Sequence, residues 1–169
     1  MQKIKLSSVR LSFPSLFKRA VFDGQEGKYQ ATFILDKKNV ATKLVIDNVI
    51  KQLLTENKIK VQPHMMAIKD GVETSPEFND YWLIKASSNR RPTVIGKDKA
   101  PLTEEDNTIY AGCYVNAIIT LWVQDNKFGK RINANLMGVQ FVKDGEAFGL
   151  GNVDVTDECD DLDIAINDL

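Results

Sequence analysis

The stretch GCYVNAIITLWVQ, residues 112–124, constrains the fold more than any other part of the sequence. Apolar side chains recur along it at every second position, which is typical of a β-strand with one face in a protein core. The apolar face consists of Cys113, Val115, Ala117, Ile119, Leu121 and Val123. The opposite face consists of Tyr114, Asn116, Ile118, Thr120, Trp122 and Gln124. We therefore predict a long strand that covers a core on one side and presents polar and aromatic side chains on the other.

Other segments predict further strands and a single main helix. Residues 28–36 also alternate, and we expect them to pair antiparallel with a first strand over residues 3–13. The segment DNKFGK, residues 125–130, predicts a hairpin turn into another strand. Residues 39–56 carry apolar side chains at helical spacing, with Asp36 or Asn39 available as N-cap. One helix among many strands predicts a mainly β fold, an oligonucleotide-binding (OB)-like barrel of five strands with extra loops or hairpins.

The composition is that of a single globular domain. The chain has 169 residues, of which 43% are apolar and 27% are charged, and this length suffices for one well-packed core. The sequence has no apolar run of membrane-spanning length, and its first residues lack the apolar core of a signal peptide. We therefore expect a cytoplasmic protein. Cys113 and Cys159 are expected to be free thiols, and His64 has no partner at a metal-ligand spacing.

Charge is divided unevenly along the chain. Residues 1–151 contain 22 basic and 16 acidic residues, a net charge of +6, whereas residues 152–169 contain seven acidic residues and no basic one. We predict a folded domain over residues 1–151 and an acidic, disordered tail over residues 152–169. A basic body favours a polyanionic partner, although an acidic end that only aids solubility is an equally good interpretation of the tail. The tail residues predicted to contact partner proteins are Asp157, Glu158, Asp160, Asp161, Asp163 and Leu169.

Sequence motifs for catalysis are missing. The chain has no glycine-rich phosphate loop and no histidine pair for zinc, and its one histidine supports no serine-based triad. We therefore predict no cofactor and no zinc site, while carboxylates distant in sequence leave a metal-dependent nuclease open at this point.

Basic and aromatic residues alternate along several of the predicted strands. Single-stranded nucleic acid is held by cations along its backbone and by aromatic rings on which its bases stack. Taken alone, each of these residues fits a core, subunit-interface or solvated position better than a DNA contact, and it is their interleaving that favours nucleic-acid binding. The predicted DNA-binding residues are Tyr81, Trp82, Lys85, Arg90, Arg91, Tyr110, Tyr114, Asn116, Trp122, Lys127, Lys130 and Arg131.

Four longer blocks resemble a family of phage-encoded single-stranded DNA-binding proteins. The blocks are KYQATFILDK, WLIKASSNRRPTVIG, YAGCYVNAIITLWVQDN and VQFVKDGEAFG, and the opening VRLSFPSLF is also similar to the start of that family. The family's basic block falls on Arg90 and Arg91, with Lys85 where we expect asparagine and Asn89 where lysine is common. Its second block falls on Tyr110, Gly112, Tyr114 and Asn116.

This resemblance implies an OB-fold without catalytic activity and binding without strong sequence preference, in phage DNA replication or recombination. It also implies partners: single-stranded DNA, and a polymerase, helicase or primase that the acidic tail would recruit. A homodimer is an open expectation. Two alternatives remain, a β-rich phage interaction or assembly protein whose aromatic residues make subunit contacts, and a nuclease that holds a metal ion with carboxylates distant in sequence.

Overall fold

Five long strands close into a barrel in the computed structural model of the chain, which describes residues 2–147. The strands are β1 (Lys3–Ser15), β2 (Val21–Phe22), β3 (Gln25–Glu26), β4 (Tyr29–Asp36), β5 (Ile68–Asp70), β6 (Tyr81–Ser88), β7 (Thr93–Ile95), β8 (Tyr114–Asn126) and β9 (Gly129–Lys143), and the helix α1 spans Val40–Asn57. Strand β1 pairs antiparallel with β4 and β8, while β6 pairs with β4 and β9 pairs with β8. A short parallel pairing of β6 with β9 closes the ring. The prediction of an OB-like five-stranded barrel is confirmed.

The predicted central strand corresponds to β8, and its apolar side chains enter the barrel. Val115, Ala117 and Ile119 are fully buried. Strand β9 adds Ile132, Leu136 and Val139 to the same core. Side chains that alternate with these core residues along β8 and β9 point away from the barrel interior.

Helix α1 begins after Asn39, whose side-chain oxygen accepts a hydrogen bond from the Thr42 N–H, as one of the two predicted N-caps requires. Its buried residues are Ile46, Val49 and Ile50, which pack on the barrel core. Val40 and Leu44, which share the apolar helical spacing, are exposed. The predicted helix over 39–56 is therefore confirmed, but its first turns contribute little to the core.

Strand β1 follows the barrel surface by bending at two β-bulges. Three steps along β1, from Leu6 to Val9, face two steps along β8. The same mismatch recurs between Ser12 and Ser15, opposite β4. Both bulges contain a residue with left-handed backbone, Ser8 (φ 50°) in the first and Phe13 (φ 47°) in the second. An extra residue bends and twists a strand locally, so these bulges let β1 pair with two neighbours on a curved sheet.

The segments between the barrel strands are mostly loops with short 3₁₀ turns, such as Glu104–Asp106, where Thr103 and Asp106 form a capping box. No helix among residues 2–147 is both long and apolar enough to cross a membrane. The predicted domain boundary at residue 151 and the predicted acidic tail lie outside the described residues.

Candidate nucleic-acid interface

A groove runs over the outer surface of β4, β6 and the first half of β9. Because Ile84 and Ala86 of β6 point into the core, their neighbours Leu83, Lys85 and Ser87 point outward and line the groove. Its walls are completed by Gln30 and Thr32 of β4 and by Arg131 and Asn133 of β9. The groove encloses about 540 Å³. We call this surface the outer groove.

Residues Met65–Ala67 form part of the floor of the outer groove. The Ala67 N–H donates to the carbonyl of Ile132 on β9 (2.8 Å), and the Lys85 N–H donates to the carbonyl of Ala67 (3.0 Å). The loop thus bridges β6 and β9 where the two strands diverge. This bridge fixes the separation of the groove's two walls.

The outer groove is basic. Lys69, Lys85 and Arg131 line it, and no acidic residue is among its described lining residues. The ion pairs within residues 2–147 involve Lys18, Lys37 and Lys43, so none of them neutralises a cation of this groove. Unneutralised cations in a concave surface concentrate a positive potential that attracts anions.

The outer groove continues past Ser87 into a shallower depression of about 320 Å³. This depression is lined by Lys28, Ser88, Asn89, Trp122 and Asn135 as well as Ser87. Trp122 pairs with Asn133 across β8 and β9, and Asn133 lines the main part of the groove. An aromatic ring therefore lies on the same continuous surface as the cations.

A second groove, of about 310 Å³, lies outside β1 where it meets β4 and β8. It is lined by Arg10, Tyr81 and Tyr114 but also by the acidic residues Asp36 and Glu77. Arg10 is bound within the protein, because its guanidinium donates to the carbonyl oxygens of Gly112 and Glu146. The Tyr114 ring lies under the Lys143 ammonium, 4.8 Å from the ring centroid. We call this surface the second groove.

Tyr110 and Gly112 are occupied by structural contacts near the second groove. The Tyr110 hydroxyl donates to Asp144 Oδ1 (3.0 Å) and accepts from the Gly145 N–H (3.0 Å). Burial raises the pKa of the Tyr110 hydroxyl above its usual value near 10.0. Gly112 has φ +112°, and a Cβ there would clash with the carbonyl oxygen of Glu146. Gly112 therefore serves the backbone geometry at this point of the chain.

The predicted DNA-binding residues are thus divided between several places. Lys85, Trp122 and Arg131 meet in the outer groove, and Lys127 and Lys130 lie at the hairpin that precedes Arg131. Tyr81 and Tyr114 line the second groove.

Trp82 faces the other side of β6, packs against the core and has the Lys43 ammonium 4.8 Å from its ring. The Asn116 side chain accepts a hydrogen bond from the Ser8 N–H and donates one to the Gln140 side chain. The Arg91 guanidinium lies over the Phe17 ring. Arg90 is exposed in the loop after β6.

Sequence reasoning missed several residues of the outer groove. Lys28, Lys69, Asn133 and Asn135 line it without having been predicted. For the last two, the alternation of RINANL, residues 131–136, was an available signal because it places Arg131, Asn133 and Asn135 on one face. Phe13 also lines the outer groove and is 75% exposed. No sequence pattern marked it, since its position follows from the bulge.

The described residues contain no cluster of three or more histidine, cysteine, aspartate or glutamate side chains that could hold a metal ion. The Cys113 thiol is free and fully buried, and this burial raises its pKa. A raised thiol pKa favours the unreactive protonated form. Cys113 is therefore a core residue, as its place on the apolar face of the strand predicted.

Comparison with known proteins gives one consistent family. Residues 2–167 match the family described as "Enterobacter phage Enc34, ssDNA-binding protein". A protein of Acyrthosiphon pisum secondary endosymbiont phage 1, named p50, is 38% identical over 178 aligned positions that cover 96% of this chain and 95% of p50.

Two solved structures have a similar fold and sequence. The single-stranded DNA-binding protein from bacteriophage Enc34 superposes with a TM-score of 0.81 and 40% identity, covering 94% of this chain and 90% of that one. The same phage protein in complex with single-stranded DNA superposes with a TM-score of 0.80 and 40% identity, covering 87% and 89%.

Proposed function

The chain belongs to the family of the Enterobacter phage Enc34 single-stranded DNA-binding protein, and from this premise we propose that it binds single-stranded DNA along the outer groove. Binding would be largely independent of sequence and would coat and protect the strand during phage DNA replication or recombination. The family resemblance predicted from the sequence is confirmed. Since the family consists of DNA-binding proteins, the prediction of a binding protein rather than an enzyme is also confirmed.

The observation that carries this proposal is the unbalanced charge of the outer groove. Its two parts are lined by four cations, Lys28, Lys69, Lys85 and Arg131. No acidic residue is among the described residues that line either part. A DNA strand brings a phosphate with every nucleotide, and each phosphate neutralised by a cation releases a condensed counterion. The second groove, where Asp36 and Glu77 face the solvent beside Arg10, would repel the same phosphates.

The polar and aromatic lining suits bases of any identity. Trp122 offers a ring on which a base can stack, and stacking requires no particular base. Gln30 and Asn135 offer amide groups that both donate and accept hydrogen bonds, and Asn133 offers its amide oxygen, since its amide nitrogen donates to Gln124. Such groups adapt to the different base edges, so this lining supports binding without strong sequence preference.

Titration of the full-length protein with fluorescent oligo(dT) at several salt concentrations tests the proposal. If the four groove cations each contact one phosphate, the slope of log K against log salt is about −2.8, from the value of roughly −0.7 per phosphate on a single strand. We expect binding that weakens steadily with salt. Failure to bind oligo(dT) at low salt would overturn the proposed function.

We also propose two roles for the acidic tail over residues 152–169. Its seven acidic residues would compete with DNA for the basic domain, and its apolar tip would recruit a polymerase, helicase or primase. Truncation after Gly151 is expected to tighten oligo(dT) binding, most clearly at low salt where charges are least screened. Equal affinity of the truncated and full-length proteins would contradict the competitor role and leave the recruitment role standing.

The site of action proposed for the protein is the cytoplasm of the host cell. A homodimer is proposed as its oligomeric state, and light scattering during size-exclusion chromatography measures this directly. A mass corresponding to one chain would reject the dimer without affecting the DNA-binding proposal.

A further inference from the structure

Phe13 has an unusual backbone and an unusual environment. It lies in the second bulge of β1, where Ser12 pairs with Thr32 and Ser15 pairs with Gln30. Its φ of 47° is left-handed, a conformation in which the Cβ of an L-residue crowds the following carbonyl oxygen. Glycine is the residue that adopts this conformation at little cost in such bulges. A large aromatic side chain at this position is therefore disfavoured by the local backbone.

The same side chain is also poorly placed for stability. Phe13 is 75% exposed, so most of the apolar area that would stabilise the fold on burial stays in water. Leu11, before the bulge, and Leu16, just after the end of β1, are both buried in the core. Phe13 therefore turns out of the barrel between two residues that pack inside it. Strained, exposed positions of this kind occur preferentially at functional sites.

The first bulge of β1 provides an internal comparison. Ser8 has nearly the same φ, 50°, but its side chain is small and polar, and its N–H donates to the Asn116 side chain at 2.9 Å. That bulge is stabilised by a contact within the protein. The Phe13 bulge instead presents a ring to the outer groove, which Lys85 and Arg131 also line.

We propose that Phe13 is a base-stacking residue, held out of the barrel by its bulge so that a DNA base lies on its ring while Lys85 and Arg131 hold the adjacent phosphates. This inference rests on the proposed function and assigns a binding role to a residue that the sequence did not predict. Aromatic rings beside cations are the arrangement that binds single strands without sequence preference. Trp122, farther along the same surface, would stack on a different base.

Full-length protein carrying Phe13→Ala tests the inference against fluorescent oligo(dT). A lost stacking contact weakens binding by about 5- to 150-fold. Phe13→Leu keeps an apolar side chain without a ring and should weaken binding in the same way. The matched control is Phe22→Ala, because Phe22 is also exposed, at 57%, but does not line the outer groove. This control should bind like the wild type.

An abasic oligonucleotide of the same length separates stacking from a change in groove shape. It keeps the phosphates but offers no base, so the wild type and Phe13→Ala should bind it equally. Phe13→Gly provides the second check, because glycine relieves the left-handed strain. We expect this variant to melt at or above the wild-type temperature and yet to bind oligo(dT) as weakly as Phe13→Ala.

Three results would overturn the inference. Unchanged oligo(dT) affinity of Phe13→Ala would reject a binding role while leaving the proposed function intact. An equal loss on the abasic strand would show that Phe13 acts through groove shape and not through stacking. Failure of the wild type to bind oligo(dT) would overturn the proposed function, and the inference with it.

Discussion

The outer groove and the second groove both contain aromatic and basic side chains, but they differ in how those side chains are already used. In the outer groove, Lys85 and Arg131 take part in none of the ion pairs within residues 2–147. In the second groove, the Arg10 guanidinium binds backbone carbonyls, and Asp36 and Glu77 bring negative charge. Interleaved aromatic and basic residues therefore favour a site for an anionic strand only where contacts within the protein do not already occupy their side chains.

The largest expected effect comes from reversing charge in the outer groove. The double variant Lys85→Glu and Arg131→Glu should weaken oligo(dT) binding by roughly 100-fold at low salt and reduce the magnitude of the salt slope by about 1.4, since each lost phosphate contact removes about 0.7. Lys51→Glu with Lys60→Glu is the matched control, because both lysines are exposed and line neither groove. Equal losses in the two double variants would mean that total charge matters and the groove does not.

A smaller effect is expected from the tryptophans, which the structure places on opposite sides of the barrel wall. Oligo(dT) should quench the intrinsic fluorescence of the wild type and of Trp82→Phe, but not that of Trp122→Phe, because only Trp122 lies on the outer groove. Trp122→Ala should also weaken binding by about 5- to 150-fold. Quenching that survives in Trp122→Phe and disappears in Trp82→Phe would reverse the assignment of the two residues.

Removing the Tyr110 hydroxyl should affect stability and leave DNA binding unchanged. Tyr110→Phe deletes the hydrogen bond that the hydroxyl donates to Asp144 and the one that it accepts from the Gly145 N–H, and a typical loss of this kind lowers the free energy of unfolding by about 1 kcal/mol. Urea denaturation measures the stability, and the oligo(dT) titration measures the binding. A marked loss of DNA affinity in Tyr110→Phe would move the binding surface toward the second groove.

The smallest expected effect is a change in the pH dependence of stability. Burial raises the pKa of the folded-state Tyr110 hydroxyl above its usual value near 10.0, so the unfolded chain releases this proton first as the pH rises. The stability that the protonated Tyr110 hydroxyl contributes is fully present below the pKa of the unfolded chain. It is lost as the pH rises through the pKa of the folded protein. The difference in unfolding free energy between wild type and Tyr110→Phe should therefore shrink above about pH 10. A difference that stays constant would show that the two states share one pKa.

Much of the barrel could be predicted from alternation alone. Residues 112–124 gave β8 with its two faces correctly assigned, and the helix over 39–56 matches α1 to within one residue. Alternation also separates Trp82 from Lys85, because residues three apart on a strand lie on opposite faces. Trp82 and Lys85 were both predicted to bind DNA, and the structure places them on different faces of β6.

Other features could not be deduced because they depend on distant segments. The closing pair of β6 and β9 involves two residues on each strand, too few to leave a pattern. The position of Phe13 depends on an extra residue in β1 relative to β4, which no local signal around Pro14 specifies. Likewise, the contacts that engage Arg10 and Tyr110 come from segments more than 30 positions away. The residue types on a surface were therefore predictable, but the contacts that already occupy those residues within the protein were not.

Photo-crosslinking locates the bound strand and so shows whether single-stranded DNA lies in the outer groove. Oligo(dT) carrying 5-iododeoxyuridine is irradiated on the full-length protein, and the crosslinked residues are mapped by mass spectrometry. We expect crosslinks at Phe13 and Trp122, the aromatic residues that line the outer groove. Crosslinks confined to Tyr81 and Tyr114, in the second groove, would show that the strand binds there and not in the outer groove.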